Sequence, residues 1–253
     1  MKYFIFDLDD TLLNNKKEVS NYTLNGINLL RQKDFLIVIN TARSFKATFE
    51  VAEIIKPDYL ICNAGAVIYD KDYNLVFKKT ISINDTNEII DLIKDSSDVK
   101  NFSIQTVDYL YTRDENYTKN NPIATFNDFN KPLTEESVKI LIASYEHEKW
   151  KSVAVKYNYE IERYFNGIWC RIAPSNKYLG NMDLFKLLND ENPKDFVFGD
   201  DLGDIEMIKN AYTGILMNNS KLINLGLNLS DYSNDEDGVI KYMIDHVIDK
   251  WNI

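Results

Sequence analysis

The sequence predicts an α/β protein: a core built on a parallel sheet, with an α+β segment inserted into it. Three observations carry that reading. Apolar, strand-like runs alternate with helical patterns at both ends of the chain. From about Ser82 to Ala173 the alternation loses its regularity. Four of the polar clusters follow directly on apolar runs.

Residues 3–6 form a short apolar run, and residues 22–31 carry Leu24, Ile27 and Leu30 at helical spacing. Residues 35–39 are continuously apolar, as a strand covered on both faces must be. Residues 45–55 read as a second helix, ended by Pro57, and 59–62 as a third strand. This βαβαβ order implies parallel pairing. Residues 66–69 and 75–79 flank a polar turn at 70–74 and predict a hairpin.

Within the middle segment, 84–94 is helical in pattern, and 102–105 and 109–112 are strand-like. Residues 138–143 fit a strand or a helix equally well. Residues 161–165 and 168–172 flank Asn166-Gly167, a strong two-residue hairpin signal. After Pro174 the rhythm returns: helix 181–189, strand 195–198, helix 205–210, strand 213–217, helix 221–229 and a closing amphipathic helix 238–250. The layout predicts one domain in two pieces, 1–81 and 174–253, with a second domain at 82–173.

The 253 residues are 45% hydrophobic and 27% charged, an ordinary globular composition, with a formal net charge of −10. That charge argues against nucleic acid or an anionic membrane surface as partner. An anionic ligand would need cations gathered locally. Cys62 and Cys170 lack disulfide or zinc spacing, which predicts a reduced, cytoplasmic protein. The first apolar run breaks at Asp7, too early for a signal-peptide core, and no run approaches the roughly 20 residues of a membrane span. The oligomeric state stays open.

Ligands of open parallel sheets bind outside the carboxyl ends of the strands. FIF precedes Asp7-Leu8-Asp9, and LIVI precedes Asn40-Thr41-Ala42-Arg43. YLIC precedes Asn63-Ala64-Gly65, and FVF precedes Gly199-Asp200-Asp201. If these strands are adjacent and parallel, the clusters converge on one edge. Asp7 and Asp9 are two apart and point to one side of an extended backbone. With Asp200 they supply oxygen ligands for a hard divalent cation such as Mg²⁺. Thr41, the amides of the following helix N-terminus and Lys177 offer donors to an anion.

Plainer roles compete. Turn formation and capping suit Asp10 and Asp201, but not four clusters at matching strand ends. A calcium loop starting at Asp7 fails because Leu12 stands where such a loop needs glycine. His147 and His246 have no ligand spacing. Cys62 reads as a small buried hydrophobe, and Asn63 and Gly65 as turn formers with substrate contact second.

In order and spacing, DLDDT, NTARS, the lysine of PSNKYLG and GDDLGD resemble the haloacid dehalogenase superfamily of phosphohydrolases. The long insertion, CNAGAVIYD and SNDEDGV look like its Cof-type sugar-phosphatase branch. The resemblance spans essentially the whole chain. It implies a Rossmann-like core, a C2-type cap at 82–173, and Mg²⁺-dependent hydrolysis of a small phosphomonoester through an aspartyl-phosphate. The substrate class would be a sugar phosphate or related metabolite.

The same resemblance implies Asp7 as nucleophile, Asp9 as general acid and then base, and Thr11 as the residue orienting the Asp loop. Thr41, the Ala42 amide and Lys177 would bind phosphoryl oxygens. Asp7, the Asp9 backbone carbonyl and Asp200 would ligate Mg²⁺, and Asp204 would hold Lys177 or a metal-bound water. Arg43 could reach the substrate. Tyr109, Tyr111, Arg113, Trp169 and Arg171 of the cap are candidate specificity residues. One position departs from the pattern: Gly203 stands where the family usually has Asn, which puts turnover, metal affinity or phosphate binding in question. Asn218 or Asn219 could compensate, and Gly203→Asn is expected to preserve or raise activity. The alternatives are phosphomutase-like transfer and a ligand-binding or regulatory member weakened by Gly203.

Overall fold

The computed structural model describes residues 1–164 and 167–248. Strand β1 (Lys2–Phe6) lies between two parallel neighbours, which is why its run is apolar on both faces. A tight loop over residues 8–12 leads to α1 (Asn21–Gln32), whose N-cap Ser20 accepts the Thr23 amide. Next come β2 (Phe35–Asn40), α2 (Phe45–Ile55), β3 (Tyr59–Cys62) and the antiparallel pair β4 (Val67–Asp70) and β5 (Leu75–Lys78).

A second sheet follows α3 (Ile83–Lys94). It contains β6 (Asn101–Gln105), β7 (Leu110–Thr112), β8 (Ala124–Phe126) after the short α4 (Glu115–Asn120), and β9 (Lys139–Ala143). Helix α5 (His147–Lys156) and the pair β10 (Glu160–Arg163) and β11 (Trp169–Ala173) complete it. The chain returns through α6 (Lys177–Leu187), β12 (Lys194–Gly199), α7 (Ile205–Asn210), β13 (Thr213–Leu216) and α8 (Gly238–Met243).

The first sheet runs β13-β12-β1-β2-β3-β4-β5, with its first five strands parallel. Alternate residues feed two cores. Phe4, Phe6, Ile37, Ile39 and Phe198 pack on one face, and Tyr3, Ile5, Val38 and Val197 on the other. The second sheet runs β10-β11-β9-β6-β7-β8. One of its faces packs Phe102, Ile104, Ile140, Ile142 and Ile172 against α3 and α5. The alternate residues form the opposite face, and from there Lys139 reaches the loop after β2: its Nζ lies 3.0 Å from the Ala42 carbonyl.

The parallel α/β core matches the expectation, and several details differ. The ambiguous stretch 138–143 is strand, as β9. The predicted helix 181–189 begins earlier, at Lys177, because the Asn176 side chain accepts the Leu179 amide and caps it there. No long helix occupies 221–229, where only Ile223–Leu225 make a short helical turn before Gly226 at φ 68°. The segment instead runs back beside β13: the Leu216 amide donates to the Asn228 carbonyl, and the Ser230 amide to the Leu216 carbonyl. Helix α8 gives way to wider turns through Ile248, and residues 249–250 of the predicted closing helix lie outside the described residues. Phe165 and Asn166 of the predicted hairpin also lie outside them, while its arms pair antiparallel. Helix α4 buries no side chain and α5 only Trp150 and Ala154, so neither shows a strong apolar stripe in the sequence.

Candidate active site

Strands β12, β1, β2 and β3 are neighbours and parallel, so the polar clusters at their carboxyl ends meet. Asp7 directly follows β1, and its amide donates to the Phe198 carbonyl at 3.1 Å. Lys177 opens α6, with Nζ 3.0 Å from an Asp7 oxygen and 2.6 Å from Asp204 Oδ1. The amides of Asp200 and Asp201 donate to Asp204 Oδ2, each at 3.0 Å. Asp204 is therefore fully buried yet satisfied at both oxygens. Gly199 permits this, since a Cβ there would stand 2.4 Å from Asp204 Cβ.

The supports are equally specific. Thr11 donates to Asp200 Oδ1 at 2.7 Å, and the Ser220 hydroxyl donates to the Asp200 carbonyl. Buried Asn40 donates to the Lys177 carbonyl and to Asn181, holding the start of α6 against β2. Asn219 donates to the Asp10 carbonyl at 2.7 Å and accepts the Asn234 amide, and Asn234 in turn donates to the Leu13 carbonyl. The SNDEDGV stretch thus braces the Asp loop.

Electrostatics follow from burial. Desolvation, then the neighbouring Asp204 carboxylate, pushes the Asp200 carboxyl up to about 8. Desolvation pushes Asp7 up to about 7 against the opposing pull of Lys177. Burial opposes the charge of Lys177, but its two carboxylate partners outweigh it and hold the ammonium well above its ordinary range. Oxygens of Asp7, Asp200 and Asp204 lie within 4.8 Å of one another. Because Lys177 and two amides engage Asp204, Asp7 and Asp200 are the carboxylates open to a cation. Two hard oxygen donors that burial drives towards neutrality fit a divalent metal, which would relieve both.

Asp9 is placed differently. The Arg43 guanidinium binds it bidentately at 2.7 and 2.6 Å, and Lys17 lies 3.3 Å away. Burial alone would raise the Asp9 carboxyl, but these cations outweigh it and hold it below the usual range.

A cavity of about 190 Å³ opens over this edge. Asp7, Asp9, Thr41, Ala42, Lys177 and Asp200 line it from below. Glu162, Tyr164 and Arg171 line it from the second sheet. Thr11, Arg43, Asn63, Asn218 and Asp204 are not among its lining residues. Thr11 and Asp204 instead hold its carboxylates and lysine, and Arg43 is committed to Asp9. Asn63 is buried at φ 51° with neither side-chain polar atom partnered, and Asn218 is half-buried beyond β13.

Among the cap candidates, Arg171 lines the cavity, while the Tyr111 hydroxyl donates to Glu135 and Tyr109 stacks on Tyr111. Arg113 borders a separate cavity near the end of α3. Arg171 is 2% exposed and pairs with Glu162. Glu162 fills the space beside Gly203, where a Cβ would stand 2.9 Å from Glu162 Oε1. Desolvation, then the nearby Arg171, lowers buried Lys139 to about 8. Glu162, Tyr164 and Lys139 escape motif reading. Glu162 and Tyr164 fall in the strand-like run 161–165, and Lys139 in the stretch 138–143 that fits a strand or a helix, so their residue types alone do not announce the site.

A profile of haloacid dehalogenase-like hydrolases matches residues 4–243. The 5-amino-6-(5-phospho-D-ribitylamino)uracil phosphatase YcsE of Bacillus subtilis is 28% identical over 247 residues, spanning 95% of this chain and 94% of that protein. A second B. subtilis phosphatase of the same designation, YitU, is 24% identical and spans 94% of each chain. Among solved structures, the phosphatase BT1666 of Bacteroides thetaiotaomicron superposes with a TM-score of 0.82 at 18% identity, covering 97% of this chain and 94% of that one. The fold is shared with that structure, and the family profile covers nearly the entire chain. The chain belongs to the haloacid dehalogenase-like hydrolase family and is a hydrolase of its phosphatase kind.

Proposed function

We propose that this hydrolase cleaves a small phosphomonoester, a sugar phosphate or related metabolite, through an aspartyl-phosphate on Asp7. The observation that carries the reading is Lys177, held between Asp7 and Asp204 at the floor of a cavity that Asp200 also lines. An Asp7 oxygen bonds to phosphorus as the ester P–O bond breaks, and Asp9 gives its proton to the departing alkoxide. Water then attacks phosphorus, Asp9 takes its proton, and inorganic phosphate leaves with Asp7 restored. Lys177, the Thr41 hydroxyl and the Ala42 amide receive the phosphoryl oxygens. Asp9 takes up its proton only after Arg43 lets go, and an incoming phosphate dianion competes for that guanidinium.

Mg²⁺, held by Asp7, Asp200 and the Asp9 backbone, would screen the repulsion between carboxylate and phosphate. Residues 82–173 act as a cap domain that excludes water and contacts the leaving group, with 1–81 and 174–253 as the core. The names of YcsE and YitU support a small phosphorylated metabolite as substrate. In the test, Asp7→Asn lowers phosphate release by about 10⁴-fold with the fold intact by circular dichroism. Wild-type turnover in that variant would remove Asp7 from the mechanism.

A further inference from the structure

The loop after β2 holds three successive carbonyls, those of Thr41, Ala42 and Arg43, and each has a donor. The Ala64 amide donates to the Thr41 carbonyl at 2.9 Å, and the Asn63 amide to the Arg43 carbonyl at 2.8 Å. Both of these donors follow β3 in the neighbouring part of the same sheet. The middle carbonyl, of Ala42, instead takes the Lys139 ammonium of β9 at 3.0 Å, from 97 residues away. One of the three bonds that shape this loop is therefore made from the second sheet.

The backbone that carries Lys139 is firmly held. Val138, just before it, is fully buried in a core cluster of the first sheet, and its amide donates to the Gln105 carbonyl at 2.7 Å. Lys139 itself is buried and pairs with Gln105 in strand register. Burial and the nearby Arg171 both weigh against a cation there. An apolar side chain of similar length would suit the place better, unless the ammonium has a task at its tip.

The Ala42 carbonyl shares one planar peptide unit with the Arg43 amide. That amide donates to Thr41 Oγ1 at 3.2 Å. A cation on the carbonyl side fixes the peptide plane and strengthens the amide as a donor. With its oxygen accepting from the amide, the Thr41 hydroxyl has its own hydrogen left to donate. Thr41 and Ala42 line the cavity over the carboxylates, and Lys139 does not.

On the phosphomonoester reading above, in which Thr41 and Ala42 receive phosphoryl oxygens, we propose that Lys139 is a positioning residue. Acting through the Ala42–Arg43 peptide, it aims the Thr41 hydroxyl at the phosphoryl group. It touches neither phosphorus nor the leaving alcohol.

A double-mutant cycle tests that route, with p-nitrophenyl phosphate as substrate and inorganic phosphate as the competing ligand. Lys139→Met lowers kcat/KM about tenfold and weakens inhibition by phosphate by a similar factor, with cooperative thermal melting retained. Thr41→Val alone lowers kcat/KM about 100-fold. In the Thr41→Val background, Lys139→Met costs no more than about twofold, because the hydroxyl it aims is gone. Should Lys139→Met lose its cooperative melt, Lys139→Gln takes its place in the cycle and is read in the same way. Single losses that multiply in the double variant overturn the role of Lys139 and leave the phosphomonoester reading standing. So does a folded Lys139 variant within about twofold of wild type, or Thr41→Val at the wild-type rate. Release of phosphate by the wild type from neither p-nitrophenyl phosphate nor glucose 6-phosphate overturns both readings.

Discussion

At the carboxyl edge of the parallel sheet, Lys177 stands between Asp7 and Asp204, and Asp204 has both oxygens engaged. Across the cavity, Glu162 and Arg171 pair on β10 and β11, and the charge in that row ends at Leu141 on β9. The first region is held by charges that compensate one another in a buried place, where removing one strands the rest. The second holds one ion pair, Glu162 with Arg171, on side chains that strand register otherwise places. On the function proposed above, bond cleavage belongs to the first region and contact with the leaving group to the second.

Four predictions would break or sharpen that contrast. The largest effect belongs to Asp204. We predict that Asp204→Ala costs about 3 kcal/mol, because Lys177 loses a counter-ion and two amides lose their acceptor. Denaturant unfolding without metal measures it, and a loss below about 1 kcal/mol would deny the compensation argument.

The second concerns acid. Asp7 and Asp200 are raised to about 7 and about 8, so without a cation the folded protein binds protons there that the unfolded chain has released. Their contribution to stability accordingly falls as pH rises from about 4 to about 8. A divalent ion must displace those protons. Mg²⁺ affinity is therefore predicted to drop on the order of 100-fold from pH 8 to pH 6, with proton release on binding. Calorimetry in buffers of different ionisation enthalpy reads both, and pH-independent affinity would exclude these two carboxylates as ligands.

Third, Lys139 is lowered to about 8, so above that pH the unfolded chain holds a proton the folded one lacks. Wild type should gain stability over Lys139→Met between pH 8 and 10, by at most about 2.7 kcal/mol. A constant difference across that range would show that the ammonium carries no penalty.

The smallest effect reverses the expectation drawn from the sequence. Gly203→Asn would push Glu162 off Arg171, and we predict roughly a tenfold loss in kcat/KM. Glu162→Ala in the same chain should recover part of it. Full activity in the single variant would mean that Glu162 moves aside freely.

The carboxylate edge of the parallel sheet was legible because each cluster is continuous in sequence and follows a buried strand. Asp7, Asp200, Lys177 and Asp204 could be placed together once the strands were taken as adjacent. For Arg43 the sequence suggests reach towards a substrate but not its partner, since a guanidinium reads the same whether or not it pairs with Asp9. The 221–229 segment failed for a local reason: its leucines keep helical spacing, but Gly226 takes the left-handed region and the chain pairs with β13. Glu162 and Tyr164 sat in plain view of a strand pattern, yet which face of β10 looks at the carboxylates depends on how the second sheet docks. Nothing local encodes that.

The dovetail of Glu162 with Gly203 has a consequence for engineering. On the domain division proposed above, an exchange of residues 82–173 also exchanges one side of this contact. Joining this core to a cap with a shorter residue at 162 would leave a gap beside Gly203. Setting residues 82–173 against a core with a side chain at 203 would make the end of Glu162 give way, so a chimera is best built by trading both positions together.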